Sequence, residues 1–435
     1  MLKQVKWLFC FLLIHTLASS QNSLLDSLMQ SAKAFNEIKH YSKAVACLDS
    51  VLDWEVNNQK ALLMLAKVNS QLGDYTAAYI VYTKLLALDA MNTGYLYNRA
   101  TVLSQLNRYQ EAVQDYDILI EHQPKDTNAI FDRAVAYSEL SAYDKALADY
   151  NKVIALNPNF EGLYYNKGFL EAENKQYKLA LIDYNTAIEK NKNDTEAYVQ
   201  RAFVRMQLEH YKEAIEDCNF VLGLNPNHLE ALLHRAASFA LLQKLNDALS
   251  DLNKAIALEP KRTEVYMDRA YLYLDMKKVK NALLDFSYVI TLDSNFVEAY
   301  IGRAYCYEDH KQFHKAISDY SKCVKLDSLN EQAYNLRALA YIENKEYRLA
   351  LLDLNKSIIL NSKDAELFYN RAQCYKSLKK YPESLIDYNK AIELVPNEAL
   401  FYLERAKVHF AMGNKNLQEN DFNKAKEIDQ QSKAK

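Results

Sequence analysis

Residues Arg133–Pro158 read "RAVAYSELSAYDKALADYNKVIALNP", and 34 residues further on the chain reads "KGFLEAENKQYKLALIDYNTAIEKNK". From Arg371 it reads "RAQCYKSLKKYPESLIDYNKAIELVP". One register explains all three. Arg-Ala pairs start at Arg99, Arg133, Arg201, Arg235, Arg269, Arg303, Arg337, Arg371 and Arg405, and Lys167-Gly168 fills the one gap. Ala66 and Ala32 carry the spacing toward the N-terminus. The result is twelve repeats of 34 residues without insertion or deletion: 25–58, 59–92, 93–126, 127–160, 161–194, 195–228, 229–262, 263–296, 297–330, 331–364, 365–398 and 399–432. A period of this length marks stacked supersecondary units rather than one closed core.

Each repeat is numbered here from 1 to 34, so that Ala134 occupies position 8 of the fourth. In that repeat Ile130, Ala134 and Tyr137 recur at i, i+4 and i+7; Ala146, Leu147, Tyr150, Val153 and Ile154 recur at i, i+1, i+4, i+7 and i+8. Each set falls on one face of a helix. Position 8 is small in every repeat, and position 20 is Ala from Ala44 to Ala350, then Ser384 and Gln418. Small residues at both places let two helices approach closely. Pro124, Pro158, Pro226, Pro260 and Pro396 stand at position 32, where proline ends a second helix because it has no N–H to continue one. With 7 Gly and 6 Pro in 435 residues, little room is left for sheet turns or flexible linkers. The expected fold is all-α, a helix–turn–helix written twelve times.

These marks resemble the tetratricopeptide repeat (TPR): an aromatic or aliphatic residue at position 4, small at 8, frequent Tyr at 11, 17 and 24, Ala at 20 and Pro at 32. The match extends over about 94% of the chain. The family's Trp at position 4 is replaced by Tyr, Leu, Ile or Phe, and its Gly at position 8 is mostly Ala. The resemblance implies a right-handed α-solenoid over 21–432 whose first helices line a concave groove, the family's usual place for peptide segments of other proteins. Some members grip a partner's terminal carboxylates with Lys at position 5 and Asn at position 9. Here position 5 is never Lys and position 9 never Asn, which argues against a cytosolic adaptor for chaperone tails.

A side chain present in every repeat serves stacking, because a ligand is rarely periodic. Asp stands at position 23 in ten consecutive repeats, Asp115 to Asp421, and Arg or Lys stands at position 7 of the same ten. Pairs such as Arg133 with Asp149 and Arg269 with Asp285 are read as a structural ladder inside and between repeats. Tyrosine permits a subtraction. Of 33, positions 4, 11, 17 and 24 hold 25. Five of the remaining eight lie at position 5 (Tyr97, Tyr165, Tyr369) or 9 (Tyr271, Tyr305). At 100° per residue these positions form one stripe beside the core face of the first helix. Phe131, Leu233, Met267 and Ile301 continue it at position 5, and Phe169, Phe203 and Leu339 at position 9. By the resemblance this stripe faces the groove, and it is the expected partner-binding surface. Its rim is acidic, with Glu196, Glu230, Glu264, Glu298 and Glu366 at position 2 and Glu139, Glu173, Asp275, Asp309 and Glu343 at position 13. That sign favours a ligand with apolar and basic side chains.

The formal charge is −3, or −5 once Lys3 and Lys6 leave with the leader, and no basic run suggests nucleic acid. Lys3 and Lys6 precede the apolar run Trp7–Leu17, and Ala18 and Ser20 follow it. Residues 1–20 are therefore expected to be a signal peptide cut before Gln21. The run is too short to span a bilayer; membrane contact is expected only where the segment is retained. The five later cysteines form neither a disulfide framework nor a zinc pattern and are read as small buried apolar residues. Cys306, Asp309, His310 and His314 straddle an inter-helix turn and are read as structural. No phosphate loop or nucleophile motif is found, and residues 433–435 are left as a tail. The expectation is a secreted or periplasmic, non-enzymatic, monomeric scaffold for protein or peptide segments, without cofactor, metal or small-molecule substrate. The alternative is a structural component of an envelope or secretion assembly that self-associates or docks.

Overall fold

The structure, a computed structural model, describes residues 23–433. The expected leader and most of the expected tail lie outside them. Among the described residues all regular structure is α-helical, in twelve pairs that begin with the helix 23–37 and Tyr41–Trp54. The chain divides into two compact halves, one ending at Asp217 and the other starting at Cys218. From the third repeat to the eleventh, the fifth excepted, the first helix covers positions 1–13, as in Thr127–Glu139 and Thr263–Asp275. The second covers positions 17–30, as in Tyr143–Leu156 and Val279–Leu292. The last helix runs from Lys415 to Lys433.

Local chemistry sets these boundaries. Where position 34 is Asn or Asp it caps the first helix of the next repeat: the Oδ1 atoms of Asn58, Asp126, Asp194 and Asn330 accept the backbone N–H groups of Ala61, Ala129, Ala197 and Ala333 at 2.9–3.1 Å. Each such cap contributes about 1 kcal/mol. Second helices stop two residues before position 32, as at Leu156 before Pro158 and Leu394 before Pro396. Between the helices of a pair the chain turns through position 15, which is left-handed in every repeat. Gly occupies it only at Gly73 and Gly413; the other ten residues, from Lys39 to Lys379, hold φ between 55° and 63°. The geometry closes the preceding helix, with Lys278 N–H donating to Tyr273 O and Lys277 N–H to Leu274 O. A Cβ in this region is strained. Lys277→Gly and Lys345→Gly are each expected to stabilise the chain by about 0.5 kcal/mol, after the entropy glycine adds to the unfolded state. A fall in the urea midpoint would contradict this.

The core follows the two helical periods. Ile130, Ala134, Ala146, Tyr150 and Val153 are buried, and the same positions recur in the other half as Tyr266, Ala270, Ala282, Phe286 and Val289. Gly302 shows how tightly the rows close. A Cβ there would lie 2.5 Å from the ring of Phe286, which is fully buried and cannot retreat. Gly302→Ala is expected to lower stability by about 1–3 kcal/mol through overpacking, read from the denaturation midpoint. An unchanged midpoint would show that the ring can move aside.

The ladder is present as expected, and it has a third contact that the spacing alone did not reveal. In nine repeats the arginine at position 7 grips the buried Asp at position 23 with both Nε and Nη2, as in Arg133–Asp149 (2.7 and 2.8 Å) and Arg269–Asp285 (2.8 and 2.7 Å). In eight of them, Arg99 excepted, the remaining Nη1 reaches back 16 residues to position 25 of the preceding repeat, as from Arg133 to Asp117, Arg201 to Asn185, Arg269 to Asn253, Arg371 to Asn355 and Arg405 to Asn389, at 2.6–2.8 Å. One guanidinium thus closes its own helix pair and ties it to its neighbour. Its face also rests 5.1–5.6 Å from the aromatic ring at position 4, as with Tyr198, Tyr266, Tyr300 and Phe368.

Repeat 5 breaks this rule. Lys167 donates to Asp183 at 2.5 Å and to Glu171 at 2.6 Å. Glu171 occupies position 11, where most repeats of the second half carry Tyr or Phe, and it is 1% exposed. Its other oxygen receives no donor. Burial, and then the neighbouring Asp183 carboxylate, lift Glu171 to about 7 against the pull of Lys167.

Candidate binding face

The predicted stripe divides into two layers. Position 9 reaches solvent: Phe169 is 40% exposed, Tyr271 45% and Tyr305 41%. Phe203 and Leu339 are half-buried beside these exposed rings. Position 5 lies deeper. Tyr97, Phe131, Tyr165 and Tyr369 are half-buried, each set edge-on to the buried ring at position 24 of its own repeat. Those partners are Tyr116, Tyr150, Tyr184 and Tyr388, with centroids 5.8–6.1 Å apart. Leu233 and Ile301 are half-buried as well. Met267 is buried in the cluster of Tyr266, Ala282 and Phe286, and Val199 is buried too. The reason is steric. Position 5 lies nearer the core face than position 9, so the second helix of the same pair covers it.

A further rule emerges from the rings. In repeats 8 and 9, position 5 holds Met267 and Ile301, and the edge partner of position 24 comes from position 9 instead. Tyr271 meets Phe286 at 5.4 Å and Tyr305 meets Tyr320 at 6.3 Å. Each such core ring takes one aromatic edge, from either position. Repeat 5 has both, Tyr165 and Phe169, and Tyr165 fills the role. Phe169 is left over.

The rim stands where the sequence placed it. Glu139, Glu173, Asp275, Asp309 and Glu343 at position 13 are exposed, as are Glu196, Glu230, Glu264, Glu298 and Glu366 at position 2. Arg262 answers Glu230 at 3.7 Å. Within each half, exposed rings therefore sit among exposed carboxylates, an arrangement suited to hold apolar and cationic groups together.

Among the described residues no group of three or more His, Cys, Asp or Glu could hold a metal ion. Cys306 is buried, His310 Nδ1 lies 3.2 Å from the Cys306 carbonyl oxygen, and His314 turns toward Asn344. Cys218, Cys306, Cys323 and Cys374 are buried free thiols, and burial pushes Cys306 to about 11 and Cys323 and Cys374 to about 12. Cys47 is half-buried. No described helix is long and apolar enough to cross a membrane.

Uniform helix pairs, a small-residue crossing and a ladder between neighbours define an α-solenoid of helical repeats. The chain is a tetratricopeptide-repeat protein. The family's profiles match residues 128–160, 195–228, 297–328 and 365–398, and residues 37–117 match the family of subunit 3 of the anaphase-promoting complex (cyclosome). No curated protein matches the chain. Among solved structures, a tetratricopeptide repeat protein from Parabacteroides merdae shares 21% identity over 55% of this chain and 94% of its own, with a TM-score of 0.47. Yeast Tom70 shares 17% over 92% and 97%, with a TM-score of 0.43. YrrB, described as having an unusual peptide-binding site, shares 20% over 41% and 91%, with a TM-score of 0.36.

Proposed function

We propose that this chain is an exported, non-enzymatic scaffold that binds apolar and basic segments of partner proteins on the face formed by its first helices. The observation that carries the reading is the set of large rings at position 9, Phe169, Tyr271 and Tyr305, held in solvent inside a rim of carboxylates. Rigid aromatic surface of this kind has a low entropic cost of binding. Carboxylates around it add selectivity for Lys or Arg. Replacing Phe169, Tyr271 and Tyr305 together with Ala is expected to preserve the helical circular dichroism. Recovery of crosslinked partner from the native host should fall at least about tenfold, the loss of one ordinary hot spot. Unchanged recovery would overturn the reading. Export is tested separately: N-terminal sequencing of protein recovered outside the cytosol should begin at Gln21.

A second reading is favoured by the outer side of repeats 10 and 11. Leu349, Leu352, Ile359 and Ile386 on their second helices are all exposed, Ile359 by 76%. Such a patch suits self-association or docking into an assembly. Light scattering at micromolar concentration separates the readings, because the scaffold is expected to be monomeric.

A further inference from the structure

Repeat 5 departs from its neighbours in four ways that converge on one place. Position 34 before it is Phe160 rather than a capping Asn or Asp, and no side chain caps the first helix. Gly162 takes φ of 72°, and the helix begins at Leu163, two residues later than in repeats 4 and 6. Lys167 spends its ammonium on Glu171 and Asp183, so no strut reaches back to Asn151 as the arginine struts do elsewhere. Positions 5 and 9 are both aromatic, and no described ring pairs with Phe169. The first turn is open and one large apolar side chain is unused.

A cavity of about 670 Å³ lies at this junction, lined among others by Val135, Glu139, Tyr165, Phe169 and Glu173. It holds two exposed carboxylates and no cationic side chain. Tyr165 also walls a second cavity of about 620 Å³ on its other side, where Glu161, Asp194 and Glu196 outnumber the single cation Lys190.

We propose that the junction of repeats 4 and 5 is the anchor point of the binding face. It takes one bulky apolar side chain of a partner segment against Phe169 and Tyr165, with a Lys or Arg one or two residues away facing Glu139 and Glu173. This rests on the scaffold reading and adds its location and ligand chemistry. The occupant is fixed by two features of the site. The surplus ring and the cavity call for an apolar group, and the uncompensated carboxylates call for a cation beside it.

The test is to pan a phage-displayed random dodecapeptide library on the purified full chain and measure the selected peptides by fluorescence anisotropy. Peptides pairing an aromatic or long aliphatic residue with Lys or Arg are expected. Phe169→Ala should weaken them at least tenfold with the melting curve unchanged, since this ring is exposed and packs on no other. The double change Glu139→Lys with Glu173→Lys should reverse the charge preference of the selected peptides. Peptides that ignore all three changes but are lost in a Tyr271→Ala, Tyr305→Ala chain would overturn the anchor and leave the scaffold reading standing. A library that yields no binder on the folded chain would overturn both.

Discussion

Asp285→Ala is expected to lower the stability of the second half by about 3–5 kcal/mol, the largest effect of any single change to the ladder. The carboxylate is buried and receives both Nε and Nη2 of Arg269. Removing it strands a guanidinium that is itself mostly covered, and an uncompensated buried charge costs several kcal/mol. Only the bond to Asn253 would remain. The contrast is Asn253→Ala, which removes one hydrogen bond from an exposed partner and should cost about 1 kcal/mol. Urea denaturation followed by circular dichroism compares the two. Equal, small losses would mean that the ladder is ornamental and that apolar stacking alone holds the repeats. The double change of Arg269 and Asp285 to Met and Leu should recover most of the loss, because replacing a buried pair with packed apolar groups is often neutral.

The second large effect is a dependence on pH centred on Glu171. Its carboxyl ordinarily titrates near 4.5, but in the fold burial raises it to about 7. The folded state therefore holds this proton more tightly than the unfolded one. Stability from Glu171 is fully present below pH 4.5 and is lost as pH rises through about 7. Between pH 5 and 8 the loss should be on the order of 2–3 kcal/mol. Glu171→Gln removes the titrating group and should flatten the variant's own stability-against-pH curve, so that the wild-type minus variant difference falls by this amount from pH 5 to 8. The same holds for Glu171→Tyr, which installs the residue found at Tyr137 and Tyr273 in the same position. Unfolding midpoints at each pH unit provide the comparison. A difference that stays flat, or that shrinks as the pH falls, would show that Lys167 keeps Glu171 charged throughout.

Much of this architecture was legible in the sequence because a solenoid repeats its constraints. The Arg–Asp pairs could be read from a constant offset of 16 residues, and they form at 2.6–3.0 Å in nine repeats. Position 25 carried a signal too, since Asp117, Asn185, Asn219, Asn253 and Asn389 all offer an acceptor. Asn355, within a glycosylation sequon, belongs to the same series and accepts from Arg371. The left-handed turn at position 15 was hidden, because Lys, Ser, Glu and Gln there do not announce a positive φ as Gly would.

The binding face was only half legible. A helical wheel gives the direction of position 5 relative to position 4 but not which neighbour covers it. Met267 points into core packing, whereas Tyr271, four residues on, reaches water. The singularity of repeat 5 lay in view as Phe160, Gly162, Lys167 and Glu171, of which only Lys167 is without parallel at its position in the ladder repeats; the others vary elsewhere too, as at Phe296, Gly94 and Arg205. Periodic reading treats such departures as tolerated noise. Their meaning appears only when the open turn and the cavity are seen together.

The buried thiols carry a consequence for handling and for habitat. Cys306, Cys323 and Cys374 are held protonated by their surroundings, and a protonated thiol neither attacks disulfides nor takes alkylating reagents readily. Of the described cysteines only Cys47 is partly open. Among the described thiols an oxidising milieu thus has little to scramble, and a maleimide dye has one address among them, Cys47 on the first repeat, which leaves the aromatic face unmarked.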